Sequence, residues 1–73
     1  MIQYGVVLFY TTSSAMRAEK LLMKAGYAVK LIPTPREFSS DCGIALRFDW
    51  THQEQVKSVL ETARVEIDSV HHL

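Results

Sequence analysis

Five consecutive apolar residues, Val6-Val7-Leu8-Phe9-Tyr10, run straight into Thr11-Thr12-Ser13-Ser14. A β-branched and aromatic run stopped by hydroxyl residues predicts a strand leading to a helix N-cap. Ala15, Ala18, Leu22 and Ala25 then recur at helical spacing, with Lys20 and Lys24 toward the end where cations suit the dipole, and Gly26 is placed to take the left-handed conformation that closes a helix. The first helix is therefore expected over roughly Ser14 to Ala25. Tyr27 to Ile32 reads as a second strand, stopped by Pro33 because proline cannot donate a ladder hydrogen bond. Ile44 to Phe48 is a third. Thr51-His52-Gln53-Glu54 has capping-box spacing, and Val56, Val59, Leu60 and Ala63 form the apolar stripe of a second helix. Val65 to Val70 supplies a fourth strand, leaving His71 and His72 as a solvated tail.

Strand, helix, strand, strand, helix, strand in this length predicts an α+β, ferredoxin-like split βαβ arrangement (βαββαβ), a four-stranded antiparallel sheet with two helices on one face. Right-handed crossovers put strand three between strands one and two, in the order 4-1-3-2. With strand one pointing up, Thr11 to Ser14, the hairpin loop Pro33 to Cys42 and the turn Thr62 to Arg64 share the upper edge. Asp49 to Thr51 and the C-terminus share the lower edge.

Seventy-three residues make a single domain, 1–73, that buries only about 60% of its unfolded surface, so a thin stability margin is expected. Hydrophobic residues at 48% against 22% charged suffice for one core. Eight Lys and Arg balance eight Asp and Glu. The chain thus lacks the long-range field on which affinity for nucleic acid or anionic lipid rests, and neither partner is expected. One cysteine cannot form an internal disulfide, which points to a reducing, cytoplasmic setting. Met1 to Tyr10 has neither a signal-peptide pattern nor a run long enough to cross a bilayer.

Candidate chemistry gathers between Pro33 and Phe48, which hold both prolines and the only cysteine, Cys42. At the upper edge Cys42 falls beside the N-terminus of helix one, whose N–H groups and dipole favour an anion, and Arg36 in the same loop adds positive charge; both favour a thiolate. The hydroxyls of Thr11, Thr12, Ser13, Ser14, Ser39 and Ser40 are available to an anion. The other reading makes Cys42 a small hydrophobe at the start of a buried strand, with the Ser and Thr residues as cap and turn residues. His52, His71 and His72 map to the lower edge, so no Cys–His pair and no four-ligand zinc site is expected, and no metal or cofactor is assigned. Glu37 and Asp41 share the loop without a dry pocket to raise either. Gly5, Gly26 and Gly43 are too scattered for a phosphate loop.

Strands one and three are apolar on both parities, Val7 and Phe9 against Val6, Leu8 and Tyr10, and Ile44, Leu46 and Phe48 against Ala45 and Arg47. The sheet face away from the helices then needs cover, which predicts a homodimer through that open face unless Arg47 and long neighbours cover it. A sheet-stacking RNA binder would need aromatic and basic residues there, and the sequence offers chiefly Phe9 and Arg47.

Pro33-Thr34-Pro35-Arg36-Glu37, Ser39-Ser40, Cys42-Gly43 and Ala45-Leu46-Arg47-Phe48, supported by Leu8-Phe9 and by Arg17-Ala18-Glu19 with Leu22, give the chain a resemblance to short bacterial selenium/sulfur carrier-like proteins, a domain otherwise of unknown function. Phe38 and Asp41 depart from the smaller aliphatic residue and the serine expected at those positions. The resemblance covers almost the whole chain. It implies a cysteine that carries sulfur or selenium as a persulfide-type adduct: Cys42, with Arg36, Ser39, Ser40 and Gly43 around it and Thr12 and Ser13 from the first loop. A carrier of this kind needs one exposed cysteine, a donor protein and an acceptor protein, and no base or metal; a disulfide oxidoreductase would need a resolving cysteine. A carrier or binding protein is expected rather than a stand-alone enzyme. The alternative is a small binding or protein-interaction module in which Cys42 is structural.

Overall fold

Residues 2–38 and 42–73 are described by the computed structural model. Strand β1 is Tyr4–Leu8, helix α1 Thr12–Lys24, β2 Lys30–Pro33 and β3 Ile44–Asp49; a 3-10 turn over Trp50–His52 leads into α2, Gln53–Thr62, and β4 is Ser69–His72. All pairings are antiparallel, in the order β2-β3-β1-β4, the arrangement read from the sequence. This is an α+β fold with a ferredoxin-like strand order.

Alternation sorts the strands into two faces. Val7, Phe9, Leu46 and Phe48 point toward the helices and pack with Ala15, Ala18 and Leu22 of α1 and Val56 and Leu60 of α2. Each large side chain buried here contributes roughly 1.5–3 kcal/mol relative to exposure. Phe9 therefore belongs to the helix-side core and not to the open face. The aromatic residues on the open side are Tyr4, beneath Arg47, and Phe38, which packs with Ile32 against Val6, Leu8 and Ala45.

Phe38 also changes the expectation for that face. Val6, Leu8 and Ala45 are 0%, 2% and 0% exposed within one chain. The hairpin segment reaches back across the sheet, where Phe38 stacks on His71 with ring centroids 4.3 Å apart. The upper half of the open face is thus covered without a second copy.

Element boundaries shift for identifiable reasons. β1 begins at Tyr4 and its ladder with β4 runs from Gly5 opposite His72 to Leu8 opposite Ser69, which draws both histidines out of the expected tail and into β4. Val65 is not strand: its N–H closes α2 by donating to Leu60 O at 2.9 Å while Arg64 N–H donates to Glu61 O at 3.0 Å. α1 starts two residues earlier than its expected Ser14, because Thr11 is the N-cap and its side chain accepts from Ser14 N–H. The expected Thr51–Glu54 capping box does not form. Asp49 caps the 3-10 turn instead, accepting from Thr51 N–H at 3.0 Å and Thr51 Oγ1 at 2.8 Å. Those two bonds, the backbone one first, hold the Asp49 carboxyl below its ordinary range. The cap is therefore present above the ordinary carboxylate range and is lost as acid protonates Asp49.

The two helix ends share one motif with different residues. At α1, Tyr27 N–H donates to Leu22 O and Gly26 N–H to Met23 O, with Gly26 at φ 95°. At α2 the equivalent left-handed position is Arg64, at φ 57°. A side chain there costs about 1–2 kcal/mol, partly offset by the unfolded-chain freedom that glycine adds. Arg64→Gly is accordingly expected to raise stability by about 0.5–1 kcal/mol, read as a higher urea midpoint at unchanged slope. An unchanged or lower midpoint would refute this account of the turn.

Candidate functional site

The hairpin between β2 and β3 opens on Pro33-Thr34-Pro35, in which Thr34 alone keeps an N–H. That N–H donates to Gly43 O at 3.1 Å, and Thr34 Oγ1 donates to Cys42 O at 2.9 Å. Thr34 so extends the β2–β3 pairing past the last ladder residue and fixes the backbone of the Cys42-Gly43 pair. Sequence reasoning gave Thr34 no role, although a lone backbone donor between two prolines is a usable signal for such a clamp.

Cys42 continues the alternation of Phe48, Leu46 and Ile44 toward the helix side and is 3% exposed. This corrects the expectation of an exposed thiol: two residues ahead of β3, the side chain is drawn in at the base of α1. Its Sγ lies 3.8 Å from Oγ1 of Thr12, the first residue of α1, with either atom able to donate. The expected meeting of Cys42 with the α1 N-terminus is therefore present, and the first turn of α1 carries no acidic side chain to oppose a thiolate.

The other expected site residues divide. Thr12 reaches the thiol. Gly43 is exposed, and an added Cβ would meet nothing within 4 Å, so the backbone beside Cys42 borders open space. Arg36 is exposed and makes no ion pair or hydrogen bond among the described residues. Ser13 lies on the outer side of α1, lining a shallow cleft with Met16, Arg17 and Lys20 rather than facing Cys42. Thr11 and Ser14 are engaged with each other, Thr11 Oγ1 donating to Ser14 Oγ at 3.0 Å. Ser39, Ser40 and Asp41 lie outside the described residues.

Arg17 donates from Nη2 to Ala63 O at 3.0 Å, so it ties α1 to the C-terminal end of α2 at the same edge. The three histidines do not form a tail or a cluster. His52 packs near Tyr27 at 5.3 Å, His72 stacks on Trp50 at 4.5 Å, and His71 sits between Phe38 and Ser69, with 2.8 Å from Ser69 Oγ to His71 Nε2. Among the described residues no group of three or more His, Cys, Asp or Glu is placed to hold a metal ion. No helix among them is long and apolar enough to cross a membrane.

Residues 4–72 match a family model described as "Putative Se/S carrier protein-like". An uncharacterized protein of Methanocaldococcus jannaschii is 33% identical over 58 residues, which are 80% of this chain and 29% of that protein. The chain thus spans less than a third of that relative's length. No solved structure matches it significantly.

Proposed function

The chain belongs to the selenium/sulfur carrier-like family, and from that membership we propose that it carries sulfur or selenium on Cys42 between a donor and an acceptor protein. The family match over 4–72 carries this reading, and the position of Cys42 against Thr12 at the head of α1 supports it. In the proposed step the Cys42 thiolate attacks the outer sulfur of a donor persulfide. The donor's S–S bond breaks, the donor thiolate leaves with the electron pair, and the new S–S bond leaves Cys42 as a persulfide. An acceptor nucleophile reverses the step, with no net oxidation. A selenium cargo follows the same course through an S–Se bond. Thr12 Oγ1, 3.8 Å from the reacting sulfur, is within hydrogen-bonding reach of it, and Arg36, Gly43, Ser13, Ser39 and Ser40 complete the proposed binding set.

With Cys42 3% exposed, loading requires local opening around the thiol, so its rate is expected to follow that opening as well as thiolate population. A reducing, cytoplasmic setting suits a thiol carrier. A homodimer through the open face, as part of the same reading, would have the lower half of that face to use, since Phe38 covers the upper half. The second reading, a binding or interaction module with a structural cysteine, has the burial of Cys42 in its favour.

Treatment of the native chain with a low-molecular-weight persulfide donor, followed by intact-mass spectrometry, separates the two. One added sulfur on the parent protein and none on Cys42→Ser is the expected result. A native thiol that stays unmodified, while the urea-unfolded chain is modified under the same donor, removes the carrier reading and leaves the structural one.

A further inference from the structure

The lower half of the open sheet face has a composition that neither the core nor Cys42 explains. Lys30 and Arg47 are direct partners across the β2–β3 ladder and project to the same side. Like charges in that position repel unless a counter-charge lies between them. Neither is ion-paired among the described residues. Arg47 is held with its guanidinium carbon 4.3 Å from the centre of the Tyr4 ring, a cation–π contact that restrains the fork. Asp49 shares the site, but its Oδ1 already accepts two bonds from Thr51. Together with Ile2, Ala28 and Val29 these residues line a cleft of about 330 Å³, and Ile2 at its rim is 61% exposed.

We propose that this cleft docks a carboxylate-bearing segment of a partner protein, a Glu or Asp side chain seated between Lys30 and Arg47 with an apolar neighbour against Ile2 and Ala28. The charge complementarity rests on a local excess of one positive charge: Lys30 and Arg47, the latter a planar fork suited to a carboxylate, against the single carboxylate of Asp49, whose Oδ1 is engaged by Thr51. The exposed apolar rim fits a protein segment better than a free inorganic anion. Two cations are too few to track a phosphate backbone. The inference does not involve Cys42, so it stands or falls separately from the carrier reading.

The test is a titration of the isotope-labelled full chain with blocked Glu-Leu-Glu and Gln-Leu-Gln peptides, followed by amide chemical shifts. Saturable shifts at Tyr4, Lys30 and Arg47 are expected with the glutamate peptide only, weakening with added salt. Lys30→Glu, at an exposed position where folding is retained and checked by circular dichroism, is expected to weaken binding by at least about tenfold. Arg47→Lys, which keeps the charge and loses the fork, is expected to weaken it less. Equal shifts with the glutamine peptide, shifts confined to other surfaces, or unchanged affinity in Lys30→Glu would overturn the proposal. Inorganic phosphate binding more tightly than the glutamate peptide would overturn the choice of occupant.

Discussion

Gly5→Ala is expected to destabilise the protein by about 3 kcal/mol or more, through overpacking rather than through any change in backbone preference. Gly5 lies in β1 opposite Phe48 on one side and His72 on the other. A methyl group built on it would meet Trp50 Cε3 at 2.5 Å and Phe48 Cζ at 2.7 Å. Neither ring can retreat without giving up a contact. Trp50 is stacked on His72, its centroid is 6.0 Å from that of Phe48, and its backbone N–H donates to Gln3 O at 2.9 Å. Phe48 is itself 1% exposed in the helix-side core. A chain of 73 residues has a total stability of only roughly 4–11 kcal/mol, so this one methyl would remove a large fraction of it. The melting temperature should fall by roughly 15 °C. Gly43→Ala is the matched control, because nothing lies within 4 Å of its added methyl, and it should melt close to the parent. A Gly5→Ala protein that also melts with the parent would show that the Phe48–Trp50–His72 aromatic group repacks at no cost.

That aromatic group also marks the limit of what the sequence pattern conveys. Trp50 lies outside every strand and helix stripe, so no periodicity assigns it a partner; only the three-dimensional approach of Gln3, Gly5 and His72 does. The same is true of β4. The stretch from Val65 to Val70, with Val65 and Ile67 alternating with Glu66 and Asp68, reads as a strand, but α2 needs Arg64 and Val65 to close its last turn, and the ladder starts only where Asp68 N–H reaches Leu8 O at 2.7 Å. Strand propensity lost to a local helix terminus at one end and to a tertiary register at the other. Strand order was legible, because the hydrophobic alternation and the right-handed crossover rule together leave few alternatives.

The candidate site was legible in place and less so in detail. Topology alone brings Cys42 to the first residue of α1, since strand order sets which loops are neighbours, and the Thr12 contact follows. Its burial was available from the same alternation that sorts Ile44, Leu46 and Phe48 toward the helices, extended by two residues. The division of labour among hydroxyls was not available. Thr11 and Ser14 serve the helix terminus, Thr12 faces the thiol and Thr34 clamps the backbone, yet all four are equivalent as residue types. Which hydroxyl does which task depends on a helix start two residues from its expected place.

Phe38→Ala is expected to have two effects that together test how the open face is satisfied. Phe38 joins Ile32 in covering Val6, Leu8 and Ala45, and its N–H is fixed by a 3.0 Å bond to Pro35 O. Its ring is half-buried, so truncation should cost about 2–3 kcal/mol, less than the 3–5 kcal/mol of a fully enclosed phenylalanine. The second effect follows from what is uncovered. Val6, Leu8 and Ala45 become a contiguous apolar patch on a small domain, the kind of surface that promotes association. Sedimentation at increasing concentration should therefore show more self-association for Phe38→Ala than for the parent, while Phe38→Leu, which restores most of the apolar cover without the His71 stack, should behave like the parent. Lost stability without association would mean that Ile32 and the neighbouring chain close over the gap. Unchanged stability and unchanged mass would mean that Phe38 is not the cover, and the open face would again need a partner to explain why three of its residues are apolar.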